Sequence, residues 1–367
     1  MAAARTARSL LGAEHQVTLI DRNRRTYLCG GFPLLIVGER EAAKLSRSLG
    51  FLANRGVSFV QAEVRRIDTR AQEVVTDSGE FGYDYLVIAT GAEYDWSAVP
   101  GSSEAYSFYS IDTARRLRRK LAGFRRGRIV IAVSSLPYKC PPAPFEAAMV
   151  LHWHFKRLGI RKDVEIEVST PEPRPLKVAG PAATEKLKSD LMHRGIHLRT
   201  DAAVKEVSRS GREVLFSDGR TTMADIAITI PAHRPAPVVV EAGLVSEHGW
   251  VAVDPATLET EVPNVFAIGD VNMVPMATGM GIPKAGVFAS SEGETVGRNI
   301  AAAITGWDRT SFPGEGACYL ATSGQTAGML KGRFLASGQP DVIYTSATAR
   351  GMRGKERFER DWRRFRV

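Results

Sequence analysis

Two short apolar runs that each end on glycine constrain this chain more than anything else in it. The first is Asp84–Gly91 (DYLVIATG) and the second is Asn264–Asp270 (NVFAIGD). Each run is too short for a helix and reads as a buried strand. The closing glycine lets the backbone approach a ligand that a side chain would hold off. After Gly269 comes Asp270, which can accept a hydrogen bond from a sugar hydroxyl, and a helix is expected beyond it. The N-terminus of such a helix offers free N–H groups and a positive dipole end to an anion. Either run alone reads equally well as a plain strand end. An earlier strand, Gln16–Asp21 (QVTLID), also ends on an acid, placed as a ribose partner would be.

Between these runs, strand and helix alternate. Arg128–Val133 (RIVIAV) is continuous and β-branched, as in a parallel strand buried on both faces. Helices are predicted over Ala2–Leu11, Ala42–Asn54, Asp112–Phe124, Ala143–Leu158, Ala182–Arg194 and Lys284–Thr305. Further strands are predicted at Val57–Val60, Glu63–Asp68, Glu73–Thr76, Phe81–Ala89, Val164–Val168, Val204–Val207, Glu213–Phe216 and Asp225–Pro231. The alternation occurs twice, so the predicted fold is α/β, with two interleaved doubly wound dinucleotide-binding (Rossmann-like) domains and a C-terminal region. The expected division is residues 1–111 and 241–310 for one domain, 112–240 for the other, and 311–367 for the tail. A chain of 367 residues, 44% of them hydrophobic, can bury two cores of that kind.

Composition excludes several classes. No run of eighteen apolar residues occurs, so no spanning helix is expected. The net charge of +9 suits an anionic membrane surface, a nucleic acid, or a mere bias towards arginine, and no nucleic-acid motif accompanies it. Three cysteines, Cys29, Cys140 and Cys318, are too few and too scattered for a disulfide framework or a zinc site, and no metal is expected.

Cys140 lies in Ser134–Glu146 (SSLPYKCPPAPFE), directly after the buried strand. A nicotinamide-binding fold would carry a glycine loop here, but Pro137, Pro141 and Pro142 remove N–H donors instead. Lys139 and the following helix N-terminus both favour a thiolate at Cys140. The plain alternative is a buried structural thiol. Glu146 reads on its own as a solvated first-turn acid, and Cys29, in TYLCGGFP, as a small side chain. Lys284, in GIPKAG, stands near a helix start where the dipole disfavours a cation.

The paired signatures resemble those of the disulfide-reductase superfamily of FAD flavoproteins. The resemblance implies FAD as cofactor, with Thr90 and Gly91 against it, Gly269 and Asp270 at its ribityl chain, Asp21 at the adenosine ribose and the Val64 backbone at the adenine. The chain departs from that pattern in lacking the G-x-G-x-x-G pyrophosphate loop. The helix this loop normally opens starts at Met1, which leads to the expectation of a shortened form of a longer protein.

The Cys140 segment is similar to the cysteine motif of sulfide:quinone oxidoreductases and of the flavin subunit of flavocytochrome c sulfide dehydrogenase. That resemblance runs through most of the chain and implies that Cys140 and Cys318 (in GACY) form a redox pair on one face of the flavin. It implies a proton-relay role for Glu146 and a flavin-side charge for Lys284, stabilising anionic reduced flavin. Cys29 falls where the flavocytochrome branch bonds its flavin covalently. The implied chemistry is attack of hydrosulfide on the disulfide, transfer of two electrons to FAD, and delivery to a quinone or to a cytochrome subunit. An NADH:quinone dehydrogenase and a non-catalytic remnant unable to hold FAD are the rival readings.

The tail, residues 350–367, carries eight basic residues against three acids, and Phe358, Trp362 and Phe365 share one helical face. Such a helix suits peripheral contact with an anionic membrane, or docking on the protein's own surface. A peripheral membrane location in a prokaryote is expected, with cytoplasmic and periplasmic sides both open.

Overall fold

The structure, a computed structural model, describes residues 1–338 and 340–364. At its centre is a four-stranded parallel sheet in the order Ile196–Arg199, Val164–Ser169, Gly127–Val133, Ile226–Ile230. Alternate residues of Gly127–Val133 enter different cores. Ile129, Ile131 and Val133 pack with Ala147, Leu151 and Phe155 of the helix Ala143–Arg157. Val130 and Ala132 pack on the other face with Val204, Val214 and Phe216. Burial on both faces is why this strand reads as unbroken hydrophobic sequence.

A second set of parallel strands is formed by pairs distant in sequence. Thr18–Asp21 pairs with Ser58–Gln61, and Leu86–Ile88 pairs with Val265–Ala267. The helix Ala2–Leu10 crosses the helix Gly286–Thr305 at Gly293 and Gly297. A Cβ at Gly297 would stand 2.7 Å from the Ala3 carbonyl oxygen, so only glycine permits this approach. The observed architecture is therefore α/β with parallel sheets, as the alternation predicts. Towards the C-terminus the chain forms an antiparallel sheet, Glu315–Ala321, Ala327–Arg333 and Asp341–Tyr344, covered by the helix Ala349–Arg363.

Two sequence expectations change. Ala42–Asn54 is not one helix but a 3-10 turn (Ala42–Leu45), a strand (Ser46–Ser48) and a second 3-10 turn (Gly50–Arg55). Antiparallel pairing of Ser46–Ser48 with Arg25–Tyr27 captures the middle of the segment, and a helix could not satisfy those strand partners. The run Phe81–Ala89 is likewise divided: Gly79–Gly82 closes an antiparallel hairpin, while Leu86–Ile88 enters the parallel pair. Among the described residues no helix is long and apolar enough to cross a membrane.

Candidate active site

The two glycine-ended runs, far apart in sequence, are neighbours in space. Val265, Phe266 and Ala267 register against Leu86, Val87 and Ile88, so both chains leave the sheet at the same end. Gly91 and Gly269 both have left-handed backbone, with φ of 70° and 75°. A Cβ on Gly91 would meet nothing within 4 Å, which leaves open space above that loop. Thr90 beside it is exposed. Asp21 ends the other parallel pair, and its carbonyl accepts from Ala62 N at 3.2 Å, two residues before Val64 opens an antiparallel hairpin. The Asp21 carboxylate also accepts from Asn23 N at 2.8 Å.

Behind Gly269 lies a buried polar network that the sequence did not single out. Glu292, 1% exposed on the helix Gly286–Thr305, accepts from Gly269 N at 2.5 Å and from Asn272 Nδ2 at 2.9 Å. Burial pushes its carboxyl up to about 7 against those two donors. Lys284 joins the same network. Its ammonium donates to the carbonyls of Asp270 (2.8 Å) and Asn272 (2.9 Å) and lies 3.4 Å from the Trp250 ring centre. Burial lowers it to about 8. Lys284 thus clamps the Gly269–Asp270 turn through backbone oxygens, whereas the resemblance assigned its charge directly to the flavin. Its carbonyl accepts from Cys140 N at 2.7 Å, which ties the two halves of the site together.

Cys140 has φ of 57°, a left-handed conformation that is costly for a residue with a side chain. Bonds on both sides hold it there, since its carbonyl also accepts from Ala143 N at 2.8 Å. Cys318, on the strand Glu315–Ala321, is among the groups whose charge acts on Cys140, and both are free thiols. Glu146 is buried, not solvated, at 2% exposure on the first turn of Ala143–Arg157. Its partner is Lys355 of the terminal helix, 3.3 Å away and also buried. The pair is close without being aligned as a hydrogen bond, because Glu146 Oε1 has no partner of hydrogen-bond geometry. Lys355 donates instead to Gly30 O at 2.8 Å, beside Cys29.

These surroundings reverse one expectation. Burial first, and then Glu146, push the Cys140 thiol well above its ordinary range, and Lys355 opposes them only in part. Burial likewise pushes Cys318 up to about 11. The cation expected to favour a thiolate at Cys140, Lys139, acts elsewhere: it faces Cys29, Tyr94 and Asp270, with its ammonium 4.5 Å from the Tyr94 ring centre. Cys29 is open to solvent, yet protein groups surround it closely enough to push its thiol up. Lys355 carried no local signal. Its i, i+4 relation to Glu359, which pairs with Arg40 at 2.7 Å, places both on the buried face of the helix, but that face is legible only once the helix is docked.

The terminal helix lies on the protein itself. Arg47 stacks on Trp362, 4.2 Å from its ring centre, and Met352, Lys355 and Glu359 are buried. Phe358 is half-buried, and Phe365 lies outside the described residues. The outward face instead carries Arg350, Arg353, Arg357, Arg360 and Arg364, all exposed at spacings of three and four.

Comparison with known proteins gives the family. The family model for pyridine nucleotide-disulphide oxidoreductases matches residues 1–134 and 144–293. The chain belongs to the pyridine nucleotide-disulphide oxidoreductase family. The unmatched interval, 135–143, is the one that holds Lys139 and Cys140. The mitochondrial sulfide:quinone oxidoreductase of Schizosaccharomyces pombe is 25% identical over 84% of this chain and 69% of its own length. The sulfide-quinone reductase of Aquifex aeolicus is 27% identical over 85% of this chain and 76% of its own. The X-ray structure of the Aquifex sulfide:quinone oxidoreductase superposes with a TM-score of 0.89 at 25% identity, covering 99% of this chain and 89% of that one. A type II NADH:quinone oxidoreductase of Staphylococcus haemolyticus is 22% identical over 83% of this chain and 80% of its own.

Proposed function

We propose that this chain is an FAD-dependent oxidoreductase that oxidises sulfide through Cys140 and Cys318 and passes the electrons to a quinone. The observation that carries this reading is the convergence of Cys140, from the segment between the family's two matched parts, and Glu146 with Cys318 and Lys355 of the C-terminal region. Similarity to sulfide:quinone oxidoreductases supports the choice of substrate and acceptor.

The residues present suit the cofactor. Asp21 and Val64 would hold its adenosine end, and Thr90, Gly91, Gly269 and Asp270 its flavin end, where the open space over Gly91 and the left-handed turns allow close approach. Bound there, FAD would supply the two-electron carrier between thiols and acceptor. The protein's own chemistry is disulfide exchange. Hydrosulfide forms a bond to one sulfur of an oxidised Cys140–Cys318 pair, the S–S bond breaks, and its electron pair leaves on the other sulfur as thiolate. Lys355, whose charge acts on both cysteines, stabilises that leaving thiolate, and Glu146 beside it takes the proton released by hydrosulfide. Membrane contact would run through the five-arginine face of the terminal helix, at the surface of a prokaryotic membrane.

An anaerobic sulfide titration of the FAD-loaded protein tests this. Sulfide should bleach the flavin absorbance, and Cys140→Ser or Cys318→Ser should abolish the change. Flavin that stays oxidised under excess sulfide would sink the reading, and rapid bleaching by NADH would replace it with the NADH:quinone one. Cys29, exposed and near Lys139, favours a second acceptor assignment, the cytochrome-linked branch. Acid precipitation separates the two: flavin released to the supernatant supports the quinone reading, and flavin retained on the protein supports covalent attachment at Cys29.

A further inference from the structure

The strand that leads to Cys140 has a second concave site at its other end. Gly127–Val133 spans about 20 Å at the usual rise of a strand. Where it starts, a cleft of ≈ 450 Å³ opens between the helix Ile111–Ala122, the loop after it and the turn at Ser210–Arg212. That volume falls within the range of small-ligand sites, about 300–1,000 Å³. In open α/β sheets ligands ordinarily bind at the carboxyl ends of the strands, so this cleft is separate from the flavin and thiol site.

Its walls are strongly basic. Arg116, Lys120, Arg126 and Arg212 line it against two acids, Glu104 and Asp225. Asp225 is already committed: it pairs with Arg212 at 2.7 Å and accepts from Arg128 N at 2.9 Å. Arg116 lies 4.8 Å from the Tyr106 ring centre, which orients its guanidinium without neutralising it. Lys120, four residues on and on the same helical face, makes no ion pair among the described residues, and neither does Arg126. By contrast, Arg118 of the same helix, pointing elsewhere, pairs with Glu41 at 2.9 Å. Arg116, Lys120 and Arg126 leave an excess of positive charge in the cleft that Glu104 offsets only in part, and an anion placed among them lowers their mutual repulsion. Two guanidinium forks and an ammonium match a multiply charged oxyanion better than a single carboxylate.

We propose that this cleft binds a small, multiply charged oxyanion, either a diphosphate group or a sulfur oxyanion. Calorimetric titration of the full chain with pyrophosphate, and separately with thiosulfate, tests it at physiological ionic strength. At least one probe should bind with a dissociation constant on the order of 1 mM or tighter. The exposed double variant Arg116→Gln/Lys120→Gln should weaken that binding by about tenfold or more, as expected for two charge-assisted contacts. Arg116→Lys should retain more affinity than Arg116→Gln. Cys140→Ser should bind as the parent does. Tighter binding of pyrophosphate assigns a phosphate source; tighter binding of thiosulfate assigns a sulfur source. Absence of binding by both probes, or equal affinity in the double variant, overturns the proposal. The double variant should still show flavin bleaching by sulfide, so this site and the redox reading succeed or fail separately.

Discussion

Lys355 is the residue on which the redox cluster depends most. It is buried, and burial alone would discharge it; Glu146, Glu359 and Cys140 outweigh that and keep its proton. Lys355→Met removes one member of a buried pair, a change that commonly costs about 3–5 kcal/mol. Denaturant unfolding should show a loss of that order. A further readout separates an electrostatic from a merely structural role: the pH at which Cys318 alkylates should move higher in Lys355→Met and return towards the parent value in Lys355→Arg.

Glu292 makes a different prediction. Its folded-state value of about 7 lies above the ordinary value of 4.5. Between those limits the unfolded chain has released the proton that the folded chain still holds, so stability falls as pH rises from about 4.5 through 7. Glu292→Gln should flatten that slope in thermal melts, while the parent loses a few kcal/mol across the window, as an order of magnitude. An equally steep slope in the variant would assign the effect to other groups.

At the scale of elements, the terminal helix is the piece that completes the site. It lies on the antiparallel sheet through glycines, and a Cβ at Gly351 would fall on the carbonyl oxygen of Ala327. Backbone cannot yield as a flexible side chain can. Gly351→Ala should therefore lift the helix start, cost roughly 1–3 kcal/mol as other overpacking changes do, and weaken the Lys355–Glu146 contact. Limited proteolysis should release the tail faster than in the parent, and sulfide reduction of the flavin should slow with it. Intact resistance to protease in the variant would show that the sheet accommodates the added methyl.

For the whole molecule, charge is the property that reaches beyond the fold. The net charge of +9 is not spread evenly, because five arginines line the outer face of one helix. Each basic residue near an anionic bilayer contributes about 1 kcal/mol. Arg353→Glu/Arg357→Glu should therefore lower sedimentation with phosphatidylserine-containing vesicles by about tenfold or more, and high salt should do the same to the parent. Neutral vesicles should bind neither protein. Of the apolar stripe, Phe358 is half-buried and Trp362 lies under Arg47, while Phe365 lies outside the described residues.

What was legible without coordinates has a physical basis. Strands buried on both faces leave continuous β-branched runs, so Arg128–Val133 and the two glycine-ended strands could be read, and with them the α/β class. Glycine leaves a mark where the backbone approaches a ligand closely, and Gly91 and Gly269, legible for that reason, both have positive φ. Prolines around Cys140 marked an interrupted nucleotide loop. Ala42–Asn54 misled because helical spacing is a local property, while the strand at its centre is stabilised by partners about twenty residues earlier. Thiol protonation was also beyond sequence, since adjacency suggested Lys139 for Cys140 whereas the folded chain turns Lys139 to Cys29 and brings Lys355 from the far end. Local order and backbone conformation are written in neighbouring residues; the charge a side chain experiences is set by whatever the fold places within a few ångströms, and here only the tertiary structure decided that.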